Sequence, residues 1–170
     1  MSINLLEMKN VVIEAEIDSE WRPIVNGLSL ALEKGEIVGL IGESGAGKST
    51  LGLAALGYTK PGCRIVSGSI KFDGLELTTL PEKQLRNLRG NRVSYVAQSA
   101  AAAFNPAHRL LEQFLESPVQ HGKMNRTEAK AKGRSLYRQL DLPDPESIGE
   151  RYPHQVSGGQ LQRAMTAMAM

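Results

Sequence analysis

The stretch GESGAGKST, which runs from Gly42 to Thr50, matches the pattern G-x-x-x-x-G-K-[ST] at every fixed position. The run EIVGLI at 36–41 precedes it and is almost continuously apolar, which is typical of a buried strand in a parallel sheet. The residues from Thr50 to Leu56 can continue as a helix. The stretch, called the phosphate loop below, therefore predicts a strand–loop–helix unit that holds nucleotide phosphates.

The residue types in the phosphate loop suit a triphosphate such as ATP bound together with Mg²⁺. Glycines let the backbone curl so that successive N–H groups point at an anion, and the following helix presents its positive end. Lys48 can reach the β- and γ-phosphates, Ser49 can ligate Mg²⁺, and Thr50 can contact the α-phosphate. The predicted nucleotide contacts in this loop are Gly42, Glu43, Ser44, Gly45, Ala46, Gly47, Lys48, Ser49 and Thr50.

Two alternatives compete with this interpretation. A glycine-rich turn could carry an accidental lysine, but the complete pattern and the flanking strand argue against that. A dinucleotide-binding loop would need G-x-G-x-x-G and no obligatory lysine, so Lys48 argues against it as well. The phosphate loop alone predicts a nucleoside triphosphate as ligand and leaves the class of protein open.

A second glycine-containing motif indicates which class of nucleotide-binding protein this chain resembles. Val156-Ser157-Gly158-Gly159-Gln160, called the signature loop below, offers a hydroxyl, two glycines and a helix start. It lies more than a hundred residues after the phosphate loop, and a candidate glutamine, Gln98, lies between them. With these three motifs in order, the chain resembles the ATP-binding-cassette (ABC) ATPases, whose signature is L-S-G-G-Q. Val156 replaces the leucine.

The resemblance is closer to the ATPase subunits of peptide- and nickel-type importers. It rests on YVAQ at 95–98, on FNP at 104–106 and on RYPHQVSGGQLQRAMTAMAM at 151–170. It covers nearly all of this chain but only about the first half of such an ATPase. It implies an α/β P-loop NTPase core with an N-terminal antiparallel β-subdomain and a helical subdomain, truncated before the Walker B strand.

The resemblance also implies roles for individual residues. Gln98 would touch Mg²⁺ or the attacking water, so that Lys48 and Gln98 are the candidate catalytic residues and Ser49 and Gln98 the candidate metal ligands. Trp21 would stack on adenine, with a surface tryptophan in a SEWRP loop as the alternative. The signature loop would contact the γ-phosphate of an ATP held by a second copy, through Ser157, Gly158, Gly159 and Gln160.

The family's mode of action sets the expected partners and location. Such ATPases close as head-to-tail dimers around two ATP molecules and push on transmembrane permease subunits, without touching the cargo. Glu150 and Arg151 precede the signature loop where the family approaches its membrane partner, with helix capping or solvated charge as the alternative. We expect a peripheral protein at the cytoplasmic face of the membrane. The net charge of +2 does not favour nucleic acid as a partner.

One expected element is missing from the 170 residues. No apolar run that ends in Asp-Glu follows Gln160. In the family that segment supplies the aspartate that holds Mg²⁺ and the glutamate that activates water. We therefore expect this chain to bind nucleotide weakly and to be inactive alone, as a truncated ATPase. The alternatives are a degenerate ABC protein that binds nucleotide or a partner without turnover, and a soluble ABC ATPase outside transport.

The pattern of apolar residues predicts the remaining elements. Alternation from Val11 to Ile17 indicates a strand with one covered face. RVSYVA at 92–97 resembles a second buried strand, and Asp73-Gly74 is typical of a hairpin turn. Helices are predicted at 82–88, after Pro106, at 127–140 with Thr127 as N-cap, and from Gly158 onward. The expected divisions are a β-subdomain and core at about 1–98, a helical subdomain at about 99–160, and the signature with its helix at 156–170.

Overall fold

The chain forms two compact units, Met1–Arg86 and Asn87–Met170. The structure is a computed structural model that describes residues 4–43 and 45–170. The first unit carries the phosphate loop, and the second carries Gln98 and the signature loop. The divisions expected from the sequence at about 98 and 156 stay predictions.

A four-stranded antiparallel sheet dominates the first unit, with the strand order β2-β1-β3-β4. Two-residue turns close both of its tight hairpins. The turn residues, which all have positive φ, are Asp18 and Ser19 in one hairpin and Asp73 and Gly74 in the other. Such turns match the twist of the strands they join, and the hairpin predicted at Asp73-Gly74 is confirmed. The strands are β1 (Leu6–Ile17), β2 (Glu20–Leu32), β3 (Cys63–Phe72) and β4 (Leu75–Glu76).

The alternation predicted from Val11 to Ile17 holds for Val11 and Ile13, which are buried, but the covered face does not extend to Ile17, which is 41% exposed. A bulge shifts the register between Met8 and Val11, so that both of these residues reach the core although they are three apart. Asn10 lies in the bulge with φ 48, and its N–H donates to Ser29 Oγ at 2.9 Å. The bulge thus keeps one face of the sheet buried over most of the strand.

Two helices complete the first part of the chain, α1 (Lys48–Ala54) and α2 (Glu82–Leu88). The bounds of α2 are those predicted, while α1 begins two residues before the predicted start. The buried apolar residues of the first unit come from the sheet, from these helices and from the segment after β4: Met8, Val11, Ile13, Val25, Leu51, Leu53, Ala54, Ile70, Phe72, Leu77 and Leu85.

The two buried strands predicted at 36–41 and 92–97 are wrong for this structure. Neither segment belongs to a strand, and Val93 makes only an isolated bridge with Arg89. Ile37 is 96% exposed and Ile41 is 98% exposed. A parallel strand needs hydrogen-bonding neighbours at its edges, and within residues 4–43 and 45–170 the only sheet is antiparallel and pairs with neither segment. An apolar run alone is therefore not enough to make a strand.

The second unit is helical, and its core lies between α4, α5 and α6. Leu110, Leu111, Phe114 and Leu115 are all buried on α4, as their spacing predicts. The helices are α3 (Ala100–Ala103), α4 (Leu110–Gln120), α5 (Arg126–Gln139) and α6 (Gly158–Ala169), with 3-10 turns at Ile148–Glu150 and Pro153–Gln155.

The predicted N-cap of α5 is wrong by two residues. Asn125 is the N-cap, and its Oδ1 accepts hydrogen bonds from the N–H groups of Thr127 and Glu128, both at 3.0 Å. Glu128 in turn accepts from Asn125 N at 2.9 Å, which completes a capping box. Asn caps at least as well as Thr, and its position leaves Thr127 inside the first turn.

We predict that Tyr137→Phe stabilises the second unit. Tyr137 is buried against Phe114, burial raises the pKa of its phenol, and its hydroxyl makes no hydrogen bond with the described residues. Removing an unsatisfied buried hydroxyl lifts a desolvation penalty, so the free energy of unfolding should rise by about 1 kcal/mol. Urea unfolding followed by far-UV circular dichroism measures it, with the exposed Tyr95→Phe as control. A loss of stability in the Tyr137 variant alone would contradict the prediction.

We predict that Glu76 stabilises the hairpin of β3 and β4 in a pH-dependent manner. Partial burial raises the pKa of Glu76, but hydrogen bonds from Ser69, Thr78 and the Ile70 amide outweigh it and lower the pKa to about 2. The stabilisation is thus complete above the unfolded pKa, roughly 4.5, and is lost as the pH falls toward about 2.

The test compares wild type with Glu76→Gln, using the fluorescence of Trp21 to follow unfolding of the first unit. The wild type should be more stable at neutral pH, and the difference should shrink between about pH 4.5 and 2. A difference that stays constant over this range would show that the Glu76 charge does not contribute.

Candidate nucleotide-binding site

Gly47 anchors the phosphate loop on β2. It is the N-cap of α1 with φ 77 and ψ 3, a left-handed conformation. A Cβ at this position would lie 2.7 Å from Ile24 O and 2.9 Å from Val25 Cγ2. Only glycine meets both the backbone and the space requirement here. The loop is therefore fixed against the strand immediately before α1 begins.

Lys48 folds back over the loop that precedes it. Its Nζ donates to Gly42 O at 2.8 Å and also to Glu43 O. The ammonium group is thus held by two backbone carbonyls, which are weaker acceptors than phosphate oxygens because they carry no full charge. Gly42, Glu43, Gly45 and Ala46 are all exposed, so that an anion can approach this group from solvent.

The start of α1 offers unsatisfied donors. The N-cap Gly47 has no side chain to cap the helix, and the first backbone bond after the loop is from Leu51 N to Gly47 O at 2.8 Å. Among the described residues, none accepts a hydrogen bond from the amides of the first helical turn, so that these amides can donate to an anion. Ser49 is exposed and Thr50 half-buried in the same turn. Of the predicted contacts in the loop, Ser44 lies outside the described residues.

Trp21 lies at the beginning of β2, directly after the hairpin turn, and not in a loop. It is 39% exposed, and the guanidinium carbon of Arg64 lies 4.0 Å from the ring centroid. Trp21 precedes Ile24 by three residues on one strand, a separation of about 10 Å along the backbone. The strand that carries the anchor point of Gly47 therefore also carries the candidate base-stacking residue.

Gln98 lies in an exposed bend before α3. The residue before it is fixed from α6, because Gln162 Nε2 donates to Ala97 O at 3.1 Å. The Gln98 side chain itself forms no hydrogen bond within the described part of the chain. Its amide is thus available to a ligand, and its role at Mg²⁺ stays a prediction.

Gln113 supports the FNP segment and was not identified from the sequence. It is buried on α4, where its Oε1 accepts from Asn105 N at 2.9 Å and its Nε2 donates to the carbonyls of Asn105 and His108, both at 3.0 Å. All three bonds brace the segment that enters α4. A glutamine inside an apolar face is the only signal in the sequence, and it does not reveal its partners.

The signature loop begins α6 with a capping box. Ser157 Oγ accepts from Gln160 N at 3.3 Å, and Gln160 Oε1 accepts from Ser157 N at 2.8 Å. Both side chains act here as acceptors, so that the Ser157 hydroxyl hydrogen and the Gln160 amide hydrogens remain as donors. Val156 packs against the helical core and orients the loop.

The two glycines of the signature loop have no packing role. A Cβ on Gly158 or Gly159 would meet no atom within 4 Å, and both residues are exposed. Their lack of a side chain leaves open backbone next to the donors of Ser157 and Gln160. This open surface suits close contact with another molecule.

Glu150 and Arg151 are both engaged within the second unit. Glu150 pairs with Arg109 at 2.9 Å and with Lys130 at 3.3 Å, and these cations lower the pKa of its carboxyl group. Arg151 lies 3.9 Å from Asp144. All five side chains keep substantial exposure, so these pairs contribute little to stability. Contact of Glu150 and Arg151 with a membrane partner stays a prediction.

Comparison with known proteins identifies the family. The family model described as ABC transporter matches residues 25–170. The chain belongs to the ABC transporter family. The matched part includes the phosphate loop, Gln98 and the signature loop, on which the resemblance noted in the sequence rests.

Among curated relatives, the oligopeptide transport ATP-binding protein AppD of Bacillus subtilis is 36% identical over 167 residues, which are 98% of this chain and 51% of AppD. The dipeptide transport ATP-binding protein DppD of Escherichia coli is 36% identical over 146 residues, 86% of this chain and 45% of DppD. The chain thus spans about half the length of these ABC relatives.

Solved ABC cassettes share the fold. A dimeric post-hydrolysis state of the ATP-binding cassette MJ0796, bound to ADP and Pi, superposes with a TM-score of 0.84 at 23% identity, covering 97% of this chain and 68% of that one. CbiO1 from Clostridium perfringens superposes with a TM-score of 0.71 at 20% identity, covering 98% of this chain and 61% of that one. These likenesses confirm the predicted ABC ATPase fold class.

The described residues contain neither a candidate membrane span nor a candidate metal cluster. None of their helices has both the length and the hydropathy that a membrane span requires. Within the same residues, no group of three or more His, Cys, Asp or Glu side chains could hold a metal ion.

We predict that Gly47→Ala disrupts the phosphate loop more than Gly45→Ala does. Both glycines have positive φ, 77 for Gly47 and 84 for Gly45, so alanine is strained by about 1–2 kcal/mol at either site. Only at Gly47 would the added methyl group also collide with β2. Urea unfolding of the first unit, followed by Trp21 fluorescence, should show the larger loss for Gly47→Ala. Equal losses would mean that the contact with β2 does not hold the loop.

Proposed function

We propose that the first unit binds Mg²⁺-ATP through the phosphate loop. The observation that carries the proposal is the Lys48 ammonium group held over an exposed, glycine-anchored loop at an uncapped helix start. The positive charge of Lys48, the amide donors of α1 and the exposed backbone of the loop lie next to one another there. This combination suits an anion with several oxygens better than any other class of ligand.

Each residue of the loop would contact a different part of the nucleotide. Lys48 would exchange its bonds to Gly42 O and Glu43 O for charge-assisted bonds to the β- and γ-phosphates. The free amides of the first turn of α1 would donate to the β-phosphate. Ser49 would hold Mg²⁺, whose positive charge offsets the charge of the phosphates, and Thr50 would contact the α-phosphate. Trp21 would stack on the base.

The signature loop would act on a second molecule. Ser157 and Gln160 keep donors free beside the open backbone of Gly158 and Gly159, as contact with a γ-phosphate held by another subunit requires. Gln98, whose amide is exposed and forms no hydrogen bond with the described residues, would touch Mg²⁺ or the attacking water. A head-to-tail dimer would bring these groups to each ATP. The dimeric cassette with ADP and Pi is a precedent for such an assembly.

We propose transport of peptides or related small solutes as the process that ATP drives. The support is the set of relatives, whose names assign them to oligopeptide and dipeptide transport. The ATPase would be peripheral at the cytoplasmic face of the membrane, attached to transmembrane permease subunits and without contact to the cargo. Hydrolysis by the complete assembly would reset the dimer after each cycle.

For the 170-residue chain alone we propose binding without turnover. The sequence after Gln160 holds no apolar run that ends in Asp-Glu. Transfer of a phosphoryl group to water needs a positioned nucleophile as well as a bound metal. Lys48 and Ser49 can supply binding and charge stabilisation but no general base.

Titration of the purified chain with Mg²⁺-ATP tests the binding proposal. Lys48→Ala should weaken the affinity roughly tenfold to a hundredfold, because a charge-assisted bond to phosphate is lost. Lys83→Ala, which removes an exposed cation on α2, serves as the matched control and should bind as the wild type does. Equal affinities for wild type and Lys48→Ala would contradict the proposal.

A steady-state phosphate-release assay on the same chain tests the proposal that it binds ATP without hydrolysing it. No release above the background hydrolysis of ATP is expected for the wild type. Robust release that Lys48→Ala abolishes would contradict binding without turnover.

A further inference from the structure

We propose that Arg64 is a positioning residue for the nucleotide base: it holds the Trp21 ring in place for stacking, and Glu14 holds Arg64. The inference rests on the proposed function, because it concerns the base of the same nucleotide. Arg64 lies outside the phosphate loop and the signature loop, and no sequence motif points to it.

The register of the sheet brings the three residues to one face. Glu14 on β1 is directly opposite Arg64 on β3. Trp21 on β2 is directly opposite Glu16, two residues from Glu14 along β1. Directly opposed residues of neighbouring strands share a face, and so do residues two apart on one strand. Glu14, Trp21 and Arg64 therefore lie side by side across three strands.

Two sets of contacts fix the Arg64 side chain. Its Nε and Nη2 donate to Glu14 Oε2 at 3.0 and 2.8 Å. Its guanidinium carbon lies 4.0 Å from the centroid of the Trp21 ring, within the range of a cation–π interaction. A guanidinium is planar and stacks on aromatic faces while it binds carboxylates. Arg64 thus links a carboxylate on one strand to an indole on another.

The contact orders Trp21 but does not bury it. The residue remains 39% exposed, so part of the ring is still open to solvent. With Arg64 against one face, a base can stack on the open side without first ordering the ring, which reduces the entropy lost on binding.

The alternative is that Arg64 only covers an exposed indole and contributes to the stability of the sheet. The two possibilities differ in the part of the ligand they affect. A positioning role acts on the base and not on the phosphates. Tripolyphosphate, which lacks the base and the ribose, is therefore the reference ligand, and Trp21 as the only tryptophan provides a direct spectroscopic signal.

The experiment compares ATP and tripolyphosphate, each with Mg²⁺, on wild type and Arg64→Lys by calorimetry. Lysine keeps the charge and an ion pair with Glu14 but lacks the planar face. We expect ATP affinity to fall roughly twofold to fivefold, with tripolyphosphate affinity unchanged. Trp21 emission should shift in the free variant, and its response to ATP should decrease. Arg86→Lys, whose arginine pairs with Glu82 at 3.4 Å on α2, is the matched control and should change neither affinity.

A double-mutant cycle with Trp21→Leu completes the test. If Arg64 acts through Trp21, Arg64→Lys should have no further effect on ATP affinity once the ring is gone. Additive losses in the double variant, or equal losses for ATP and tripolyphosphate, would overturn the inference. If the wild type binds neither ligand, the proposed function fails and the inference with it. If both ligands bind and Arg64→Lys binds ATP as the wild type does, the inference alone fails.

Discussion

The contact between Gly47 and the backbone of β2 is the constraint on which the candidate site depends. Because Gly47 has no Cβ, its backbone can approach Ile24 O closely and can adopt the left-handed conformation that precedes α1. That turn brings Lys48 back over the carbonyls of Gly42 and Glu43. It also leaves the first amides of α1 without a cap. The charge and the donors of the phosphate loop thus follow from one close approach of backbone to backbone.

The two candidate nucleotide-contacting elements are both helix starts with glycines, yet they differ physically. The start of α1 has a glycine N-cap, and within the described residues no side chain caps it, so its amide donors can bind an anion. The start of α6 is closed by Ser157 and Gln160, which satisfy each other's backbone. The first element therefore suits the proposed binding of an anion without help from a second subunit. The second is a rigid surface, which suits a role at a ligand that another subunit already holds.

Much of the fold follows from local patterns in the sequence, because a local pattern decides a helix or a tight turn. The bounds of α2, the buried residues of α4 and the turn at Asp73-Gly74 are of this kind. The segments at 36–41 and 92–97 are not strands because a strand depends on neighbours that a local pattern does not contain. The contact of Arg64 with Trp21 could not be predicted from the sequence for a related reason. It depends on the register of three strands, which a local pattern does not contain.

We propose that backbone amides at the start of α1, together with Lys48, bind the phosphates of ATP. Amide chemical shifts of the isotope-labelled chain, followed by NMR during titration with Mg²⁺-ATP, test it most directly. We expect the amides from Gly45 to Thr50 to shift first and furthest, with saturation at one nucleotide per chain. Saturable binding that leaves these amides unchanged while other amides of the chain shift would contradict it.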